Sequence, residues 1–414
     1  MAPKISHVLA SVGLACDYYT DSVAMAAGPP TDGLFVLGEP ATPGFTAIHQ
    51  RASCLNLQLL LDDGSVGLGD CLSVIRSGTH DRAAPLSPEA CEPLVTGHVA
   101  AQLVGVEVRS FRALAAMIDD LAPHGERMHP AVAYGLSQAM LGATAMVRRR
   151  TMAEVLAEEY GLPVPTREVP IFGCTDARYP DGVDRLIAGR ADALPHGGFT
   201  SVEAVGADGE RLVEFVSWMQ GRIRAHSNPT YRPFIHLDVY GTISQISDGD
   251  LERMGAYLRR LIDAAAPFPL RIEDPVGGGT SAASRDAMRR LVAMIDAEGL
   301  AVEIIADEYC NTREDIALWA QKRAAHLIHV KTPDLGSLAN SADAILDCRR
   351  AGVGVYVGGT MNDTEVSARA GLHVALAFDA DVVMAKPGAW PDVSLALTRN
   401  EMGRTLRRCA TRPS

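Results

Sequence analysis

The sequence predicts an α/β protein: a (β/α)8 barrel of the TIM type preceded by an α+β capping domain. Three observations carry this. Residues up to about 165 read as strands followed by helices, which is the order of an α+β unit. Beyond that point short β-rich runs alternate with amphipathic helices, which implies a parallel sheet. Third, carboxylates end three consecutive strand candidates, one strand–helix unit apart, as the C-terminal rim of a barrel requires.

In the first part, Leu55–Leu61 and Ser65–Asp70 flank Asp63-Gly64, a hairpin turn signal. Pro130–Val147 is a long apolar helix whose small residues Gly135, Ala139, Gly142 and Ala143 permit close packing. Thr151 and Glu154 form a capping-box pair for a further helix that stops at Gly161, with Pro163 beyond. In the second part the strand candidates are Val169–Phe172, Phe234–Val239, Pro269–Ile272, Ala301–Ala306, His326–Val330, Val353–Val357 and Asp381–Met384. Helical stripes lie between them, including Arg211–Ile223 and Leu251–Ile262, and Thr312 with Asp315 caps Ile316–Lys322. No Gly-x-Gly-x-x-Gly follows a strand, which weakens an open dinucleotide-binding sheet. The expected division is a capping domain over 1–165, a barrel over 166–400 and a tail over 401–414.

Composition narrows the function classes. The 414 residues are 47% hydrophobic and 21% charged, an ordinary globular balance. With 38 basic against 50 acidic residues the net charge is -12, which argues against nucleic-acid binding. The longest basic run, Arg148-Arg149-Arg150, reads as a helix end complementing its dipole. No apolar run is long enough to span a membrane. The mildly apolar stretch Ile5–Cys16 is followed by Asp17 and is not expected to be a signal peptide. Eight cysteines are scattered without CxxC spacing, so a structural zinc site is not expected and a reducing, cytoplasmic setting is.

The chemistry centres on the strand-end acids Asp238, Glu273 and Asp307. Converging carboxylates repel unless a cation joins them, and an all-oxygen set suits Mg²⁺ or Mn²⁺. A helix-capping role explains one such acid easily, and three in succession less well. On the next strand Lys331 stands at the same level, where a divalent cation would disfavour its ammonium and make it a general base. Gly358-Gly359-Thr360 follows the strand after that; the glycines allow close backbone approach to a ligand, and a tight turn explains them equally. His196, in Leu194-Pro195-His196-Gly197, sits just before the expected second strand.

Together with Tyr240-Gly241, Ala306-Asp307-Glu308, Lys331-Thr332-Pro333-Asp334-Leu335-Gly336 and Ala385-Lys386-Pro387-Gly388, these segments resemble the enolase superfamily. Within it, the sequence resembles the methylaspartate ammonia-lyase family over nearly the full chain. The resemblance implies that Asp238, Glu273 and Asp307 carry Mg²⁺ and that Lys331 removes the proton beside a metal-bound carboxylate. It implies that His196 faces the other side of the substrate, as electrophilic partner or as base for the other stereochemistry. It also implies a small-molecule carboxylate substrate, loss of ammonia from 3-methylaspartate or a related amino diacid, and a homodimer. Departures fall at substrate-contact positions. Where the family typically carries glutamines this chain has Ile75, Cys174 and His329, and Met361 replaces a cysteine after Thr360. Cys174 has no base partner in the sequence and reads as a contact, not a nucleophile. Arg76, beside Ile75, is either an anion contact or a surface residue. The departures keep an alternative open: a lyase or epimerase of the same superfamily acting on a different carboxylate or leaving group.

Overall fold

In the computed structural model, which describes residues 2–123, 127–176, 180–388 and 390–411, the chain builds a small antiparallel sheet and then a closed barrel. The sheet has three strands in the order Ile5–Thr20, His49–Leu61 and Val66–Cys71. Ile5–Cys16 thus lies within its longest strand. The turn at Asp63-Gly64 joins the other two, as its residues predict.

Helix Pro130–Val147 lies on this sheet, and its small residues decide how closely. A Cβ at Gly69 would stand 1.9 Å from the Gly135 carbonyl oxygen, and one at Gly135 would stand 2.4 Å from Cys71 Sγ. Backbone therefore packs on backbone where both partners lack a side chain. Thr151 and Glu154 complete the expected capping box of helix Met152–Glu159, and Gly161 follows at φ 66°.

The barrel strands are, in chain order, Ile171–Phe172, Ala193–Gly197, Phe234–Asp238, Leu270–Glu273, Val302–Ala306, Leu327–Val330, Gly354–Val357 and Val382–Met384. Each pairs in parallel with its neighbour. The ring closes where Met384 meets Phe172 and Phe172 meets Ala193. Seven of the eight strands coincide with the predicted runs. Ala193–Gly197 was not predicted, because Pro195 and two nearby glycines mask its β pattern. His196 is therefore inside the second strand, at φ 82°, and not ahead of it.

Inside the ring, Phe172, Cys174, Ala193, Ile305, Leu327, Tyr356, Val382 and Met384 form their own apolar cluster, with Met361 packed against it. The larger core fills the space between the strands and the surrounding helices and runs on into the capping sheet. The last helix spans Pro391–Ala410 and buries Met402, Thr405 and Cys409. The expected tail, 401–414, thus begins within a packed helix, and its last residues, 412–414, lie outside the described ones. Among the described residues no helix is long and apolar enough to cross a membrane.

Candidate active site

All the strand-end groups singled out from the sequence share one rim. Asp238 and Glu273 end their strands and are paired across the ladder. Asp307, Lys331 and Gly358 each follow the last residue of a strand. His196 is the penultimate residue of its strand. This is the C-terminal face, where strand ends point into a common mouth.

Glu273 is the centre of the constellation. His236 Nε2–H donates to its Oε2 at 3.0 Å, and His329 Nδ1–H donates to its Oε1 at 2.9 Å. Burial opposes the charge of Glu273, but these two hydrogen bonds bring its pKa down to about 2. On one side lies Asp238, whose Oδ2 is 3.5 Å from His196 Nε2. On the other lies Asp307, whose Oδ2 accepts from Lys331 Nζ at 2.7 Å. Ligating atoms of His196, Asp238 and Glu273 fall within 4.8 Å of one another, and so do those of Glu273, Asp307 and His329.

The electrostatics are unequal across this row. Burial opposes ionisation of Asp307, yet Lys331 and His329 hold its pKa well below the usual carboxylate range. Asp238 goes the other way: burial and then the Glu273 carboxylate push it well up. Burial lowers the pKa of Lys331, but the Asp307 carboxylate more than offsets this and raises it above the usual lysine value. The protein groups alone therefore favour the ammonium, opposite to the depressed base expected from the sequence. The expectation invoked a cation as neighbour, whereas the nearest charge supplied by the chain is an anion.

The residues fit a hard divalent cation. Asp307 Oδ1 is buried without a hydrogen bond, at ion-pair distance from His329 Nδ1 (3.3 Å) and Arg82 Nη2 (3.7 Å). Asp238 is a buried acid in an anionic field, so added positive charge there would favour its ionised form. The donors of Asp238, Glu273 and Asp307 are all oxygens, the set Mg²⁺ prefers.

Several participants had not been singled out. His236 is two residues before Asp238, as His329 is before Lys331, so the period of two places both on the inner face. His236 also stacks on Phe172, with ring centroids 3.9 Å apart. Asp274 and Glu308 directly follow predicted ligands. Asp274 accepts from the backbone N–H groups of Asp307 and Glu308 at 3.2 and 2.8 Å, which fixes the turn that carries Asp307. Arg82, from the capping domain, pairs with Glu308 and with Asp334, the latter at 2.7 Å.

The remaining predicted contacts are dispersed around the mouth. Thr360 is buried, its N–H donating to Asp363 Oδ2 at 2.9 Å. Lys386 pins the same segment through Asp363 and the Gly358 carbonyl. Cys174 and Met361 cover the apolar cluster inside the ring. Burial, and after it the Glu273 carboxylate, pushes the Cys174 thiol far up, so it does not ionise near neutral pH. Ile75 lies in the capping loop, and its neighbour Arg76 stacks on Tyr240 at 4.1 Å. Tyr240, in turn, donates its N–H to Asp238 Oδ1 at 3.3 Å.

Comparison with known proteins identifies the family. A family model described as the methylaspartate ammonia-lyase N-terminus matches residues 3–161, and one for the C-terminus matches 163–411. The chain belongs to the methylaspartate ammonia-lyase family. It is 41% identical over 405 residues to methylaspartate ammonia-lyase 2 of Carboxydothermus hydrogenoformans, covering 97% of this chain and 98% of that one. The structure of β-methylaspartase from Clostridium tetanomorphum, a Mg complex, superposes with a TM-score of 0.95 at 38% identity, covering 99% of this chain and 100% of that one. The Citrobacter amalonaticus enzyme containing (2S,3S)-3-methylaspartic acid gives 0.96 at 38% identity, with the same coverage. Muconate lactonizing enzyme from Pseudomonas fluorescens, at 16% identity and a TM-score of 0.63, shares the fold alone. Family members of this likeness do not favour the alternative of a different leaving group.

Proposed function

We propose that this protein is a Mg²⁺-dependent carbon–nitrogen lyase that releases ammonia from 3-methylaspartate or a closely related amino diacid. The observation that carries the reading is the rim itself: Lys331 against Asp307 on one side of Glu273, and His196 against Asp238 on the other. A base and an opposed imidazole thus flank the three carboxylates that would hold the ion. The family relationship supports the same chemistry.

In this reading Asp238, Glu273 and Asp307 are the metal ligands. When bound, Mg²⁺ supplies Lewis-acid polarisation of the substrate carboxylate and cancels the anionic field that keeps Lys331 protonated. Neutral Lys331 then takes the proton from the carbon next to that carboxylate. The electron pair left behind forms the carbon–carbon double bond as the adjacent C–N bond breaks, and nitrogen departs as ammonia. His196 faces the reacting carbons from the second strand, and desolvation lowers its pKa, which favours a neutral ring able to donate one hydrogen bond. Thr360, Met361, Cys174, His329 and Ile75 border the substrate. His236 and His329 hold Glu273 ionised and oriented. The capping domain (1–165) closes the mouth of the barrel (166–400).

The test is direct. Purified protein with Mg²⁺ and 3-methylaspartate should produce ultraviolet absorbance from the conjugated diacid together with an equal amount of ammonia. Chelation should stop both, and restored Mg²⁺ should recover them. Absence of both products at saturating Mg²⁺ would defeat the reading. The same reading takes the enzyme as a cytoplasmic homodimer, which suits its free cysteines and which light scattering would check for oligomeric state.

A further inference from the structure

Two arginines of the capping domain reach the mouth of the barrel, and they differ in what they hold. Arg82 is buried, and carboxylates of Glu308 and Asp334 meet its guanidinium. Arg76 has no ion pair among the described residues. Its guanidinium lies on the Tyr240 ring, 4.1 Å from the centroid. A cation resting on an aromatic face is oriented without its N–H edge being used. Glu308 is already claimed by Arg82, and Asp238 belongs to the proposed cation site.

Arg76 is held in place by its loop. Ser77 Oγ donates to the Val74 carbonyl at 2.7 Å, Thr79 Oγ1 donates to the Arg76 carbonyl at 2.9 Å, and Thr20 N–H donates to the Ile75 carbonyl at 3.0 Å. The Tyr240 ring beneath it stands 6.5 Å from the His196 ring, edge on, and its backbone N–H touches Asp238. Tyr240 itself is in the left-handed region, at φ 46°. Tyr240 therefore links this guanidinium, which has no ion pair among the described residues, to the His196–Asp238 flank of the site. Burial works against the charge of Arg76, and Tyr240, Glu308 and Asp238 more than offset that.

We propose that Arg76 receives the second carboxylate of the substrate, the one not bound by the cation, and so makes the enzyme selective for dianionic acids. The proposal rests on the functional reading above and names the residue by which this chain reads the far end of its substrate. The fork of a guanidinium matches a carboxylate with two parallel hydrogen bonds. Ile75 beside it offers only apolar surface, and Arg82, the other arginine of this segment, is already paired.

The test is calorimetric binding in the presence of Mg²⁺, comparing succinate with its half-amide succinamate. Wild type should bind succinate about tenfold tighter or more, the scale of one charge-assisted contact. In Arg76→Gln the ratio should fall to within about twofold. Arg76→Met keeps the stem packed on Tyr240 and should do the same, independently of any loop rearrangement in the glutamine variant. Arg76→Lys should fall between, since it keeps the charge and loses the fork. Equal binding of the two ligands by wild type, or an undiminished preference in both Arg76→Gln and Arg76→Met, would overturn the proposal. A wild type whose preference depends on Arg76 but that makes no ammonia from 3-methylaspartate would sink the functional reading and leave this one standing.

Discussion

With its ammonium 2.7 Å from Asp307, Lys331, the proposed base, sits among neighbours that favour its protonated form. Replacing it with alanine should lower turnover by about 10²- to 10⁴-fold and abolish exchange of the substrate proton with deuterated solvent. Persistent exchange in Lys331→Ala would transfer the role elsewhere. Gly358 makes a different demand. A Cβ there would stand 1.7 Å from His329 Nε2, so the glycine admits the imidazole that supports Glu273. Gly358→Ala must push the ring or the loop aside; a stability loss of about 1–3 kcal/mol and weakened Mg²⁺ affinity are expected. Unchanged denaturant unfolding and unchanged metal titration would contradict this contact. At this scale the sequence is readable where function sits at a strand end. Asp238, Glu273, Asp307 and Lys331 stand out through position alone. Arg82 does not, because its partner Glu308 is 226 residues away and nothing local marks it.

Among the elements, three helices meet at one histidine. His373, on helix Glu365–Ala377, donates through Nε2–H to Glu401 Oε1 at 3.2 Å on the last helix. Its Nδ1 accepts from Ala153 N–H, also at 3.2 Å, on the capping helix Met152–Glu159. Acceptance at Nδ1 needs the neutral ring, and burial holds its pKa below 6.5 although Glu401 pulls the other way. The unfolded chain therefore takes up the proton first, so stability is lost as pH falls below 6.5. Glu401 adds a loss of the same sign between 4.5 and about 2; burial opposes its charge, but His373 and Arg369 outweigh that. His373→Gln should flatten the decline of melting temperature just below pH 6.5. Parallel curves for the two proteins would exclude the histidine as its source. The elements were largely legible as apolar periods with capping boxes at Thr151 and Thr312. The strand Ala193–Gly197 was not, because its pairing on both sides overrides the weak strand propensity of Pro195 and Gly197.

Across the whole molecule, the capping domain contributes structure to the catalytic rim as well as cover. Arg82 joins Glu308 and Asp334 in a largely buried network reaching Asp307, and its loss leaves these carboxylates without their cation. Arg82→Ala should cost about 3–5 kcal/mol of unfolding free energy, with part of it recovered by lysine. An unfolding midpoint equal to that of wild type would remove Arg82 from this role. No periodicity in either half of the chain announces this coupling, since it exists only once the halves are packed.

The barrel closes through its briefest strand. Phe172, from Ile171–Phe172, meets Met384 on one flank and Ala193 on the other, and Lys386 follows Met384 by two residues. A chain growing from its N-terminus holds Phe172 long before its last partner exists. Until the ribosome has released the segment around Val382–Met384, the ring has an open seam, and the segment that Lys386 pins has no anchor. The rim is in this sense assembled late, complete only once the segment through Lys386 has joined Phe172 and Gly358.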